Sequence, residues 1–379
     1  MSKKLILAIV VVVVVLIWWG VAKNNPQGDI EVIKIGASLS LTGNFASIGS
    51  SERNGLILAS EEINKKGGVG GRKIEIIIED NFGDPKSAVS NVQKLLNIDN
   101  VDIIFTAFTP ITKAIAPIIK AKKVPMIYAA VDGSIAFEND LIYRDYVDAE
   151  QTAVALFKKI KADGAKNIKF LSEQSDAGKI FADALKKEVV LSDIKIVEEV
   201  YFQPTEKDFR AYLTKLNLKK DDFLLINAPK HANLIIKNIF NLGLIETPTY
   251  QFLAPFLAAS KEPDITELFT KNKTISSWYG FADNNNTEDQ EKFIINYKNR
   301  FNEVPIEDGS FAYDDVYILA NILNKCFSKN AVDNNCFKLQ MSSLDYNGVA
   351  GKVSFDEHGR SNRETLIIQA KNNEWVTVK

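Results

Sequence analysis

An α/β fold of two doubly wound lobes is what this chain predicts, and three observations carry the prediction. The first is the stretch at residues 33–80, IKIGASLSLTGNFASIGSSERNGLILASEEINKKGGVGGRKIEIIIED, which joins strand, polar loop, long helix, glycine turn and strand in one unit. The second is that short apolar runs go on alternating with longer amphipathic segments through Leu253. The third is length, because 379 residues exceed one ordinary domain and divide sensibly into two, each able to bury its own core.

Taken in order, Ile33, Ile35 and Ala37 read as a buried parallel strand. The loop from Ser38 to Ser51 is rich in side chains able to hydrogen-bond a small molecule, at the position where α/β sheets bind ligands. Leu56, Ala59 and Ile63 fall on one helical face, and the GGVGG run at Gly67 to Gly71 supplies the turn into a second strand. Strands are expected at 103–106 and 126–130 in the first lobe, and at 168–171, 194–202, 223–227 and 250–253 in the second. Helices at 85–97, 111–122, 150–162, 178–189, 207–216 and 232–242 connect them.

The front of the chain reads differently. Lys3 and Lys4 precede an apolar run from Leu5 to Trp19 that continues weakly through Gly20, Val21 and Ala22. Its length of about eighteen residues lies within the roughly 17 to 25 that a membrane span needs. Trp18 and Trp19 suit a membrane interface, and no Ala-x-Ala site or lipid-accepting cysteine follows. Residues 1–22 are therefore expected to be an uncleaved signal anchor, with a cleaved signal as the alternative, and 23–31 a tether to a body outside the membrane.

Composition narrows the function. The chain is 46% hydrophobic and 25% charged, with 46 basic against 48 acidic residues and no basic cluster or arginine-aromatic stripe, which argues against a nucleic-acid partner. The sequence has only two histidines: His231 opens a helix and His358 sits in a DEHG turn, so neither suggests a catalytic triad. No HExxH, GxSxG or Walker loop occurs, and GGVGG fits a hairpin better than a phosphate cradle. The residues thus point to no enzyme, no cofactor and no metal site. The acidic pairs Glu61 with Glu62 and Asp314 with Asp315 are expected on helices, solvated or facing a hinge. Cys326 and Cys336 flank the polar loop FSKNAVDNN, and a disulfide there would contribute about 2 to 3 kcal/mol in an oxidising compartment. Two free thiols are the alternative; with no CxxC spacing and no nearby histidine, a metal site is disfavoured.

The phrases SLTG, NGLILASEEIN, GGVGGRKIEIIIEDNFGDP and SNVQKLL are followed by TAFTPITKAIAPIIKAKKVPMI, KDFRAYLTKL, FAYDDVYILANIL and NGVAGKVSFDEHG. In order and spacing they resemble type I periplasmic solute-binding proteins of the branched-chain amino acid (Leu/Ile/Val-binding protein-like) ABC transporter family, over residues 31–379. The resemblance implies lobes of 32–146 plus 280–352 and of 147–279 plus 353–379, with crossings near Tyr146, Tyr279 and Val353 that form a hinge. It implies a small-molecule ligand in the cleft, an amino acid or a related amine or amide, and an ABC permease as partner.

Among the loops at strand ends that face the cleft, the first lobe offers Phe45, Ala46 and Ser47, then Thr109 with Pro110, then Ala130, Val131 and Asp132; in the second lobe Asn227 closes a strand. In relatives a Ser or Thr at a helix start and a Thr after the next strand hold the ligand carboxylate; Thr109 fits the first role, but the second falls on Asp132. The acid that pairs the ligand ammonium should follow Pro255, where Phe256 stands, and the usual Tyr-Gly appears as Ala177-Gly178 after Asp176. These departures lead us to expect Asp132 or Asp176 against a ligand amine, amide or hydroxyl, with Phe45, Phe256 and Tyr279 around its apolar part. The alternatives are that Asp132 caps a helix or turn and that Phe256 and Tyr279 are core. Two functions stay open: a solute-binding protein that serves a permease, or a membrane-anchored sensing or adaptor module of the same fold.

Overall fold

Two sheets organise the chain in the structure, a computed structural model that describes residues 32–138, 141–219, 221–253, 263–279, 286–328 and 331–378. The expected anchor and tether lie outside the described residues, as does Phe256; among the described residues no helix is long and apolar enough to cross a membrane.

The first sheet is built from β1 (Val32–Leu39), α1 (Ala46–Lys65), β2 (Lys73–Asp80), α2 (Pro85–Asn97), β3 (Ile103–Ala107), α3 (Thr109–Lys122), β4 (Met126–Ala129) and β5 (Ile142–Arg144). Its five strands are all parallel, in the order β2-β1-β3-β4-β5. Every residue of β3 is buried, which is why its sequence IIFTA shows no polar alternation: helices cover both faces. One face packs Val92, Leu95, Ile115 and Ile119 from α2 and α3. The other packs Leu56 and Ile63 of α1 with apolar residues from much later in the chain. The glycine run makes the expected turn, closed by an antiparallel bridge between Val69 and Arg72. Gly68 is required there, with φ +74° and a would-be Cβ 2.0 Å from the Arg72 carbonyl oxygen.

The chain then crosses to α4 (Ala149–Ala162), β6 (Asn167–Glu173), α5 (Asp176–Val190), β7 (Lys195–Phe202), α6 (Arg210–Lys215), β8 (Asp222–Asn227), α7 (Ala232–Asn241), β9 (Thr249–Gln251), α8 (Pro263–Asn272) and β10 (Ile275–Trp278). The helix expected at 207–216 shortens to α6 for a local reason. Glu206 accepts from the Lys207 and Asp208 amides, and Asp208 from the Arg210 amide, so side chains take the donors a first helical turn would present.

A return crossing leads to α9 (Glu288–Phe301), α10 (Glu307–Cys326), the hairpin β11 (Phe327–Ser328) with β12 (Ala331–Val332), α11 (Asn334–Ser342), and the hairpin β13 (Tyr346–Gly348) with β14 (Gly351–Val353). These pack Phe293, Val316, Leu319 and Leu323 onto the first sheet. Cys326 and Cys336 are disulfide-bonded, with Cα atoms 5.4 Å apart, and pin α11 to the end of α10. Finally β15 (Leu366–Lys371) and β16 (Glu374–Thr377) add antiparallel strands, completing the seven-stranded order β16-β15-β10-β9-β8-β6-β7.

The first and third crossings are tied together. Arg363 donates Nε and a terminal nitrogen to the two Asp145 carboxylate oxygens at 2.6 Å each, and its other nitrogen reaches the Ala350 carbonyl at 3.1 Å. Asp314 accepts from the Val349 and Ala350 amides beside it. Asp314 and Asp315, expected on a helix facing solvent or hinge, are fully buried against this cluster, whereas Glu61 is on the surface in an ion pair with Arg300 at 2.8 Å.

Candidate functional site

In both sheets the parallel strands end toward one cavity of about 460 Å³. It is lined after β1 by Phe45, Ile48 and Glu52, after β3 by Phe108 and Thr109, and after β4 by Ala130 and Val131. The second sheet contributes Glu173 to Gly178 at the end of β6, Asn227, Pro229 and Lys230 at the end of β8, and Phe252 after β9. The carboxyl ends of strands flanking a point where strand order reverses form the crevice in which such sheets take ligands, and here two crevices face each other. The volume lies in the range of small-molecule sites.

The polar features of the cavity have separate origins. Phe108 precedes α3 with φ 68° and ψ 133°, a strained backbone for an aromatic residue, and gives that helix no side-chain cap. The first turn therefore presents N–H groups with no intrahelical partner, together with the positive end of the helix dipole. The Thr109 hydroxyl beside them is buried and has no hydrogen-bond partner. From the other sheet the Lys230 ammonium stands 4.1 Å from the centroid of the Phe45 ring, and Phe45 packs on Phe108 at 4.4 Å. Desolvation lowers the Lys230 pKa, while the Glu173 charge opposes this. Burial works against ionisation of Glu173, but His231, with Nδ1 3.3 Å from its carboxylate, and Lys230 hold its pKa below the usual range.

The residues expected at the site are distributed as follows. Phe45, Thr109, Ala130, Asp176 and Asn227 line the cavity. Asn227 donates to the Ser172 hydroxyl at 3.1 Å and to the Gly178 carbonyl at 3.3 Å. Ser47 is exposed on α1 and does not line it. Tyr279 is buried away from it, its hydroxyl bonded to those of Thr152 and Thr365. Asp132 also turns away from the lining: it accepts from the Ser134 amide and hydroxyl and pairs with Lys113 at 2.8 Å. Burial disfavours its charge, yet Lys113 and Ser134 hold its pKa below the ordinary value, so Asp132 is a turn cap with a counter-ion. Lys113 also reaches Asp176 of the facing sheet at 3.6 Å, which places an ionic contact across the cleft rim.

Several lining residues carried no expectation from sequence: Glu52, Phe108, Tyr146 as a wall, Glu173, Lys230, Phe252 and Asp308. Lys230 could have been found, since Pro229 and Lys230 directly follow a predicted strand end, as Thr109 and Pro110 do. Asp308 gave no signal, because its place depends on a helix that starts more than 250 residues after Glu52. A larger groove of about 890 Å³ lies outside, between α1, α9 and α10, away from the strand ends, where Arg300 pairs with Glu61.

Comparison with known proteins agrees with this architecture. The sequence profile of the family described as "Periplasmic binding protein" matches residues 32–374. The Leu/Ile/Val-binding protein BraC3 of Rhizobium johnstonii is 30% identical over 200 residues, covering 50% of this chain and 53% of that one. The chain thus spans about half the length of the curated relatives it matches at this level. Among solved structures, the branched-chain amino acid transporter substrate-binding protein LivJ of Streptococcus pneumoniae, in complex with isoleucine, superposes with TM-score 0.77 at 22% identity, covering 92% of this chain and 100% of that one. A solute-binding protein of an ABC transporter from Rhodopseudomonas palustris, in complex with p-hydroxybenzoic acid, gives 0.80 at 19% identity, with 92% and 96% covered. The chain belongs to the periplasmic binding protein family.

Proposed function

We propose that this is an extracytoplasmic solute-binding protein of an ABC transporter, which captures a small ligand between its lobes by hinge closure and passes it to a membrane permease. The ligand carries a carboxylate and an apolar body, an amino acid or a related compound. One observation carries this reading: the unpartnered Thr109 hydroxyl and the uncapped start of α3 converge with Lys230 of the facing lobe on a cavity walled by Phe45, Phe108 and Phe252. A carboxylate there gains hydroxyl, amide and ammonium donors at once, while aromatic rings take the remainder. The isoleucine and p-hydroxybenzoic acid bound by the two structural neighbours are both carboxylates with apolar bodies, which supports the reading. Closure stabilises the complex only if the ligand contacts both lobes better when they are shut, and the division of donors between lobes meets that condition.

A thermal-shift screen against amino acids, aromatic acids, amines, amides and sugars tests it. A ligand at 100 times its dissociation constant adds about 2.7 kcal/mol of stability. Thr109→Val is expected to weaken binding of a carboxylate ligand by roughly tenfold without lowering the midpoint of the unliganded protein. Equal binding to both forms, or binding of sugars alone, would count against the assignment.

A further inference from the structure

Where the first and third crossings meet, one cation faces three acids. Asp145, Asp314 and Asp315 are fully buried and Arg363 is 4% exposed. Besides its two bonds to Asp145, Arg363 gives its other terminal nitrogen to the Ala350 and Gly351 carbonyls at 3.1 and 3.3 Å and lies over the Phe311 ring at 4.8 Å. Its distance to Asp314 is 3.8 Å, and Asp314 takes its donors from two backbone amides. Asp315 is left without one: neither of its carboxyl oxygens has a donor, although the Asp145 carboxyl lies within hydrogen-bonding reach.

The groups around Asp315 are Asp145 from the first crossing, Arg363 from the third and Asp314 from its own helix, with Tyr346 of β13 beside Asp314 and Arg363. Were all three acids ionised, two negative charges would stand uncompensated in a fully buried place, a cost that a buried group avoids by keeping its proton. Two carboxylates cannot bond to each other, whereas a carboxylic acid and a carboxylate can. Both Asp145 oxygens already accept from Arg363, so the acid is Asp315. Burial, then the Asp145 charge, holds the Asp315 carboxyl well above its ordinary range against the pull of Arg363; burial lifts Asp314 to about 7, with Arg363 and the two amides opposing.

We propose that Asp315 is a neutral carboxylic acid that donates to Asp145, and that this one proton is a switch between the two sheets: bound, it holds the crossings together; lost, it lets them turn apart. This holds for whichever solute the cleft takes. α10 carries Asp315 and packs on the first sheet through Val316, Leu319 and Leu323. Asp145 and Arg363 lie instead on the segments that lead from the first sheet to α4 and β15 of the second. A rotation of one sheet against the other therefore moves Asp145 and Arg363 relative to Asp315 and admits water, and the acid then ionises in its ordinary range. The closed arrangement binds the proton more tightly than the open one. Its advantage is full below the ordinary aspartate value and is lost as pH rises through the raised value of Asp315.

Infrared difference spectroscopy of the full chain at pH 7 tests the proton: native minus Asp315→Asn should contain the carbonyl stretch of a carboxylic acid, shifted in deuterium oxide, which no ionised carboxylate gives. Absence of that band overturns the proposal. Solution scattering of the same two proteins, without solute, from pH 6 to pH 10 tests the switch. The native radius of gyration should rise with pH while that of Asp315→Asn, whose amide also donates to Asp145, stays level, and the variant's thermal midpoint should exceed the native one by a margin that widens over the same range. Parallel curves for the two proteins would show that the proton does not couple the crossings, and the switch is then overturned whatever the cleft binds. Asp315→Ser, smaller and still a donor, repeats the comparison if Asp315→Asn does not fold. Because both replace a neutral acid by a neutral donor, failure of both to fold would also count against a neutral Asp315.

Discussion

Asp308 shows how one side chain couples stability to pH. Its folded-state pKa of about 6 lies above the roughly 4 of an unfolded aspartate, because burial disfavours the charge and the Tyr146 hydroxyl only partly offsets that. The stability it contributes is fully present below the unfolded value and is lost as pH rises through about 6. In ligand-free protein, Asp308→Asn should therefore gain thermal midpoint relative to the native chain as pH rises from 5 to 7; a difference that stays flat across that range would show the carboxyl is not held neutral. At this scale the sequence was only partly legible. Thr109 beside Pro110, and Phe45 in a loop after a strand, could be placed at the cavity because the strand-end rule needs only local pattern. Asp132, counted to a comparable strand end, turns instead to Ser134 and Lys113, since a carboxylate with an ammonium 2.8 Å away is satisfied without a ligand.

Among the elements, the contact between α1 and α10 fixes the acidic wall of the cleft. Gly309→Ala introduces a methyl group 2.5 Å from the Ser51 hydroxyl and 3.0 Å from its carbonyl oxygen, so the helices must separate. An overpacking penalty of about 1 to 3 kcal/mol is expected in chemical denaturation, together with weaker ligand binding. The disulfide acts at the C-terminal end of the same helix, and its reduction should lower stability by about 2 to 3 kcal/mol while leaving affinity nearly unchanged, because Cys326 and Cys336 lie outside the cavity lining. Long periodic elements such as α4 and α5 were readable to within a few residues. The strand expected at 250–253 is β9, while the three-residue β5, which had no expectation, owes its form to neighbours already in the sheet, and α6 lost its expected first turn to acidic side chains that compete for backbone donors.

For the whole molecule the tie between Asp145 and Arg363 is the decisive feature. Arg363→Met would leave Asp145 buried beside Asp314 and Asp315 with its principal counter-charge gone. Breaking one side of such a pair costs about 3 to 5 kcal/mol, and because the partners sit on different crossings the loss should also change the difference in radius of gyration between free and liganded protein, measured by solution scattering. A variant with native stability and native closure would show that the pair does not couple the crossings. What the sequence determined by itself was the two-lobed α/β architecture and the ends of the strands that face the cleft, because hydrophobic period and turn chemistry act over a few residues at a time. Only the tertiary structure decided which charges meet there. Asp145 and Arg363 are 218 residues apart, and Glu52 and Asp308 come together only because two distant glycines let their helices touch; no local pattern encodes a pairing that depends on where the chain returns.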